Sequence, residues 1–408
     1  MTPPRFEVAD VIRAHGGEFL DTYGDTTSPE QRRALFDLTR CRTAALGGHA
    51  EECDRCGHRQ IAYNSCRNRH CPKCQGTEAA RWVEDRAADL LPVEYFHVVF
   101  TLPAALAPIA LQNARVVYGL LFQAVSETLR QLAADPKHLG AEIGFLAVLH
   151  TWGQNLQHHP HVHCVVPGGG LSPDGSRWVS CRPGFFLPVR VLGRLFRGKF
   201  LALLRAAFDG GKLSFHGQLA HVAEPAEFRR TLAATADIDW VVYAKPPFGG
   251  PEQVVKYLAR YTHRAAISNH RLIGIEGDQV EFLWKDYARG GKQKAMKLQA
   301  VEFLRRFLMH ILPTGFMRIR HYGFLANRVC REKLELCRSL LAAIASGVAA
   351  QAISESNPVS PTRPEGHICP ACGEGRMVII ETLTPTAGDR RGQACREPAP
   401  ELAGCDTS

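Results

Sequence analysis

The stretch GQNLQHHPHVHCVVPGGG, residues 153–170, decides how the rest of the chain is read. It sets His161-Val162-His163 at the head of a short apolar run, residues 162–166. If that run is a strand, residues two apart share a face, so the two imidazoles project side by side while Val162 packs the other way. Neutral imidazole is the commonest protein ligand for divalent metals, and such a pair is half of a metal site. The plain alternative is a polar, solvated strand end. Pro160, which biases His159 toward extended backbone, and Gly168, Gly169 and Gly170, which permit close approach of a ligand, favour the metal reading.

Working outward, residues 94–102 (EYFHVVFTL) are rich in β-branched and aromatic types and predict a strand. Residues 108–133 predict one long helix, and residues 143–151 a second strand that runs through a loop into the histidine pair. Strand, helix, strand, strand implies an α+β fold with a mostly antiparallel central sheet flanked by helices. His161 and His163 then lie on a strand hairpinned to 143–151. Gln154, near the end of that preceding strand, is the candidate third ligand. An amide oxygen beside two imidazoles suits magnesium or manganese when substrate phosphate completes the shell. A loop glutamine bonded to backbone is an equal alternative. His158 and His159 are weaker candidates, and His97 and His150 read as packed or surface histidines. Residues 77–91, 189–208 and 225–236 predict helices and 240–244 a strand, before a break at KPPFGG, residues 245–250.

A chain of 408 residues that is 45% hydrophobic and 22% charged is ordinary for a folded protein of two or three domains. No apolar run is long enough to span a bilayer and no signal-peptide pattern occurs, so a cytoplasmic protein without a membrane partner is expected. The net charge of +9 is concentrated. Residues 251–331 hold 15 Lys or Arg against 6 Asp or Glu, a difference of +9, so the remainder sums to zero. One basic segment on a neutral body suggests a polyanion, most simply nucleic acid, with a solvated helical face as the alternative.

Fourteen cysteines do not here read as a disulfide scaffold. Cys53 and Cys56 are two residues apart, as are Cys71 and Cys74, with fourteen residues between the pairs. Two such knuckles can close four thiolates around one structural zinc. Cys41, His49, Cys66 and His70 remain as a possible second zinc set, or as support for the first. Arg42, Arg55, Arg59, Arg67, Arg69 and Lys73 make this module basic, which suggests DNA contact beside a purely structural role. Upstream, Ser28-Pro29-Glu30-Gln31 predicts a capped helix running to about Thr39.

Pro251 opens EQVVKYLARYTHR, which predicts a helix with Tyr257 and Tyr261 on one face and Lys256, Arg260 and Arg264 in a ladder beside them. Two phenols next to cations suit attack on a phosphodiester chain, and two amphipathic core residues are the bland alternative. Residues 272–276 and 279–284 predict a hairpin joined at Gly277-Asp278. Residues 285–297 (KDYARGGKQKAMK) predict a basic loop whose Lys292 and Lys294 would contact phosphates. Residues 296–311 predict a helix, 317–322 a short basic strand and 328–348 a further helix. From residue 349 the composition suggests a partly disordered tail, in which Cys369 and Cys372 make one knuckle only.

Taken together, HPHVH with CVVPGGG, YLARYTHRAAISN, and SCRNRHCPKCQG resemble HUH transposases of the two-tyrosine class, specifically the insertion sequence ninety-one family. The likeness covers roughly residues 41–331. It implies a small zinc-ribbon-like module (41–76) and an HUH-nuclease-like catalytic domain (77–331), which the residue patterns above flank with an N-terminal helical segment (1–40), a C-terminal helix (332–348) and the tail (349–408). It implies His161 and His163 as ligands of a catalytic magnesium or manganese, helped by Gln154, and Tyr257 and Tyr261 as nucleophiles that nick one strand and hold its 5′ end as a phosphotyrosine. The expected partner is single-stranded DNA at transposon ends and target, bound at the nucleoid, with host replication or helicase functions supplying unwinding because no G-x-x-x-x-G-K-[ST] loop occurs. The alternatives are a zinc-containing DNA-binding regulator without cleavage activity, and a metal hydrolase in which the histidines activate water.

Overall fold

The structure is a computed structural model and describes residues 4–76, 82, 89–245, 253–254, 265–286, 290–346 and 367–386. In chain order the N-terminal part comprises α1 (Val8–Tyr23), α2 (Pro29–Arg40), β1 (Gly48–Cys53) and β2 (Arg59–Tyr63). The middle comprises β3 (Tyr95–Thr101), α3 (Ala107–Gln112), α4 (Ala114–Ala134), β4 (Phe145–Trp152), β5 (His158–Pro167), β6 (Gly169–Leu171), β7 (Trp178–Ser180), α5 (Val189–Asp209), α6 (Pro225–Ala236) and β8 (Val242–Lys245). Then come β9 (Leu272–Glu276), β10 (Gln279–Asp286), β11 (Lys292–Gln299), α7 (Ala300–Leu308), β12 (Ile319–Tyr322), α8 (Cys330–Ser346) and β13 (Met377–Leu383). The expected helix over 77–91 and the expected tyrosine helix fall almost wholly outside the described residues.

Five strands form the central sheet in the order β12-β4-β5-β3-β8, antiparallel at every junction, so the α+β expectation holds. Strand alternation sorts the sheet into two unlike faces. Phe96, Val98, Phe100, Phe145, Ala147, Leu149, Val162, Cys164 and Val166 point to one side, into a core completed by α4 and α5. Each large side chain buried this way contributes about 1.5–3 kcal/mol. The long helix expected over 108–133 is broken at Asn113, whose side chain turns to the backbone of Ser214, accepting from its N–H at 2.7 Å and donating to its carbonyl at 2.9 Å.

On the opposite face Tyr95, Leu146, Val148 and Val165 form a smaller cluster that also buries Val254. A third cluster joins α1 and α2 to β9, β10 and α7 around Phe282, Phe303 and Phe307, so residues 1–40 share a core with residues some 260 positions away. The capping box read at Ser28 is present: Gln31 N–H donates to Ser28 Oγ at 3.2 Å, and Ser28 N–H to Gln31 Oε1 at 2.9 Å. Gln31 Nε2 then donates to the Leu308 carbonyl at 2.9 Å, so the cap also ties α2 to the end of α7.

Three expectations meet the structure differently. Of the basic loop expected over 285–297, residues 285–286 instead end β10 and residues 292–297 belong to the edge strand β11, so α7 starts at Ala300 rather than at 296. The glycines at 168–170 serve packing: a Cβ on Gly170 would stand 2.4 Å from the Glu142 carbonyl, and one on Gly169 2.6 Å from the Trp178 ring nitrogen. The tail expected to be partly disordered contains an ordered strand, β13, which adds to β1 in the order β13-β1-β2.

Candidate metal centre and cysteine clusters

The β4–β5 hairpin builds the centre. Its register sets His150 directly opposite His161 and Val148 opposite His163, on the face away from α4 and α5. One ligand-type nitrogen from each of His150, His161 and His163 lies within 4.8 Å of the others. His161 Nδ1 is 2.6 Å from the His159 carbonyl, which fixes the proton on Nδ1 and makes Nε2 the basic nitrogen. His163 Nδ1 lies 2.8 Å from His97 Nε2 on the neighbouring strand β3, with the two rings stacked at 4°. His150 stacks on Trp152 with centroids 4.6 Å apart. Three converging imidazoles, two of them oriented by outer partners, are a donor set that fits a divalent cation.

A third imidazole joins the expected pair. Gln154 sits in the turn that closes the hairpin, where its main-chain carbonyl accepts from Arg271 Nη2. His150 stands with the pair and His97 supports it from outside, although the sequence alone makes both packed or surface histidines. A hairpin centred near residues 155 and 156 pairs 150 with 161, and that symmetry was the available signal. His158 belongs to the other face, with Nε2 2.7 Å from Tyr118 Oη, and burial pushes it down to about 4.

The thiols also group otherwise than expected. Cys53 and Cys56 do not join Cys71 and Cys74. Instead Cys41, Cys66, Cys71 and Cys74 form one group, and Cys53, Cys56, Cys369 and Cys372 another, each with its sulfurs within 4.8 Å. The β1–β2 hairpin is the cause. Cys41 and Cys66 flank its base, where Arg42 N–H donates to the Asn64 carbonyl at 3.0 Å, while Cys53 and Cys56 stand at its tip. Five residues of strand separate base from tip by about 17 Å. In the inner group all four thiols are buried and Cys66 Sγ lies 3.9 Å from Cys74 Sγ. Four sulfurs bound 2.3 Å from one tetrahedral centre stand about 3.8 Å apart, so the set fits structural zinc. His49 and His70, expected as possible ligands, are engaged elsewhere: His49 Nε2 is 2.9 Å from Glu51 Oε1, and His70 Nε2 accepts from Leu312 N–H at 3.2 Å. Burial, then the nearby Arg318 and Arg69, hold His70 well below the ordinary histidine range, in keeping with an acceptor.

Much of the module's positive charge is spent internally. Arg69 donates to the carbonyls of Leu312 and Pro313 at 3.3 and 2.8 Å, Lys73 pairs with Glu7 at 3.0 Å, and Arg55 and Arg59 pair with Glu374 and Glu52. Lys294 is 2.7 Å from Asp286, whereas Lys292 is exposed on the edge strand. Tyr257, Tyr261, Lys256, Arg260 and Arg264 lie outside the described residues. Among the described residues no helix is long and apolar enough to cross a membrane.

Two family models match the chain: "Putative transposase" over residues 144–333, which contains the histidine hairpin, and "Transposase zinc-binding domain" over residues 11–102, which contains the inner thiol group. The chain is 56% identical over 393 residues to "Putative transposase y4qJ" of Sinorhizobium fredii, covering 94% of this chain and 97% of that one. It is 30% identical over 303 residues to the transposase for insertion sequence element IS801 of Pseudomonas savastanoi pv. phaseolicola, covering 73% and 70%. A solved conjugative relaxase, TrwC in complex with oriT DNA, aligns over 62% of this chain and 72% of its own at 14% identity, but with a TM-score of only 0.23. These matches define the class: the molecule is a DNA transposase. It belongs to the insertion sequence ninety-one family of transposases, with the N-terminal zinc-binding domain of that family.

Proposed function

We propose that the chain nicks and rejoins single-stranded DNA through a covalent 5′-phosphotyrosine and so drives rolling-circle transposition of an insertion sequence. Tyr257 and Tyr261 are the attacking groups. His150, His161 and His163 hold a divalent cation, magnesium or manganese. The observation that carries this reading is a shared sheet face. The three histidines lie on the face where Val254, three residues before Tyr257, is wholly buried among Tyr95, Leu146, Val148 and Val165.

A phenol titrates near pH 10 and is a poor nucleophile at neutral pH. A divalent cation bound at the histidines would draw charge from the scissile phosphate and offset the charge developing on its oxygens. Each of His161 and His163 commits Nδ1 to an outer partner, so ligation falls to Nε2. One tyrosine gives up its phenolic proton as its oxygen bonds to phosphorus. The P–O3′ bond breaks, and the 3′ oxygen leaves with a proton. The new ester conserves the free energy of the old one, so a later 3′ hydroxyl can attack it, rejoin the strand and return the tyrosine without a nucleotide cofactor. Two tyrosines permit two successive transfers, one per transposon end. Lys256, Arg260, Arg264 and Lys292 contact the backbone phosphates, and host replication or helicase functions expose the single strand.

The test is to incubate single-stranded DNA bearing a transposon end with the protein and manganese, digest with trypsin, and identify the peptide carrying nucleotide by mass. The expected peptides carry Tyr257 or Tyr261. Cut DNA without an adduct would favour the hydrolase reading, and uncut DNA the regulator reading; either contradicts the proposal.

A further inference from the structure

Cys53, Cys56, Cys369 and Cys372 form a group distinct from the three histidines, and two of them fall outside the residues matched by the zinc-binding domain, 11–102. Cys53 Sγ is 3.8 Å from Cys372 Sγ, and Cys56 Sγ is 3.7 Å from Cys369 Sγ. Disulfide sulfurs would stand about 2.05 Å apart. Sulfurs around a common tetrahedral zinc stand about 3.8 Å apart, which is the spacing seen.

The two halves are built alike. Each is a Cys-x-x-Cys-Gly turn, CDRCG at 53–57 and CPACG at 369–373, with the glycine in the left-handed region at φ 69° and 71°. In each the glycine N–H donates to the first cysteine's carbonyl, at 3.1 and 2.9 Å. In each a main-chain N–H two residues after the first cysteine points at its sulfur, Arg55 to Cys53 at 3.4 Å and Ala371 to Cys369 at 3.4 Å. Main-chain N–H groups aimed at sulfur stabilise thiolate, the form that binds metal. The halves also lock onto each other. Asp54 N–H donates to the Arg376 carbonyl at 3.0 Å, and Arg376 N–H returns to Asp54 Oδ1 at 2.8 Å. Beyond them β13 pairs with β1 from Cys53↔Met377 to Gly48↔Leu383. Gly375 fits beside Cys53 only because it lacks a side chain, since a Cβ there would stand 2.4 Å from the sulfur.

We infer that Cys53, Cys56, Cys369 and Cys372 form a second tetrathiolate zinc site, split between the two ends of the chain, which fastens residues 367–386 onto the N-terminal hairpin as its third strand. The site is separate from the inner group. Its thiols cluster with Met377, whereas Cys41, Cys66, Cys71 and Cys74 belong to the core of α1, α2 and α7. The zinc module is therefore incomplete without the C-terminal segment.

Zinc counting on the purified full-length chain tests this. Two zinc ions per chain are expected, falling to one in Cys369→Ser/Cys372→Ser and also to one in Cys53→Ser/Cys56→Ser. One zinc in the unaltered chain, or two retained in either double variant, would overturn the proposal. A measurement on the unaltered protein guards against variants that do not fold. With zinc bound, all four thiols should resist N-ethylmaleimide, and a chelator should release them to labelling as one set. Labelling of Cys369 and Cys372 while Cys53 and Cys56 stay protected would equally overturn it.

Discussion

His97 Nε2 and His163 Nδ1 stand 2.8 Å apart on adjacent strands with their rings parallel to within 4°. One proton is shared across that contact; carried on His163 Nδ1, it would make the opposite nitrogen of His163 the basic one, the form that binds a divalent cation. Removing such an outer partner costs roughly 10- to 100-fold in metal affinity or activity. His97→Ala is therefore expected to raise the manganese concentration needed for half-maximal DNA nicking by that factor, compared at equal folded concentration because truncating this buried side chain also lowers Tm. An unchanged manganese requirement would remove His97 from the centre.

Gly170 approaches the Glu142 backbone too closely to carry a side chain, since a Cβ there would stand 2.4 Å from the carbonyl oxygen. Glu142 and Leu171 exchange main-chain hydrogen bonds at 2.7 and 2.9 Å just there. Gly170→Ala must push the backbones apart or lose those bonds, at a cost of about 2–3 kcal/mol. Urea unfolding should show a lower midpoint with an unchanged slope. Wild-type stability would mean that the glycine run serves something other than packing.

Acid should weaken the fold before the carboxylates titrate. Burial pushes His310 down to about 3, helped by neighbouring His158, and pushes His158 itself to about 4. Both folded values lie below the unfolded value of 6.5, so the folded state binds fewer protons. Their contribution is complete above about pH 6.5 and is lost as pH falls toward the folded values. With zinc kept saturating, Tm should fall between about pH 6.5 and 5, and His310→Gln should flatten that slope while lowering Tm at neutral pH. Equal slopes would contradict a buried neutral His310.

The inner thiols sit within the core shared by α1, α2 and α7, so their metal is coupled to that core's folding. Cys66→Ser is expected to lose one zinc and to unfold this region. Hydrogen exchange should report the loss in α1 and α2, with α4 and α5 still protected. Protection of α1 and α2 in the zinc-depleted variant would show that their packing stands without the metal.

Local patterns were legible in the sequence, and their partners were not. The alternation His161-Val162-His163 fixes a shared face whatever the strand pairs with, but His150 reaches that face only through the β4–β5 register. Each Cys-x-x-Cys turn is a local signal, yet which turns share an ion depended on the length of the β1–β2 hairpin, which carries one pair away from the other. Lys292 and Lys294 belong to a segment whose density of cations reads as a phosphate-binding loop, but KQKAMKLQ alternates as an edge strand with Lys294 turned onto Asp286. Arg69 and Lys73 read as a DNA-facing charge and instead serve the loop after α7 and Glu7. Charge counts say nothing about which cations already have anions or carbonyls.

The most direct measurement is metal-dependent nicking of a single-stranded transposon end, compared among His150→Ala, His161→Ala, His163→Ala and Gln154→Ala at equal folded concentration. The three histidine variants should each lose activity by at least about 100-fold, as expected when a group that organises the transition state is removed, while Gln154→Ala stays within a few-fold of wild type. Full activity in His150→Ala alongside an inactive Gln154→Ala would contradict the three-histidine centre.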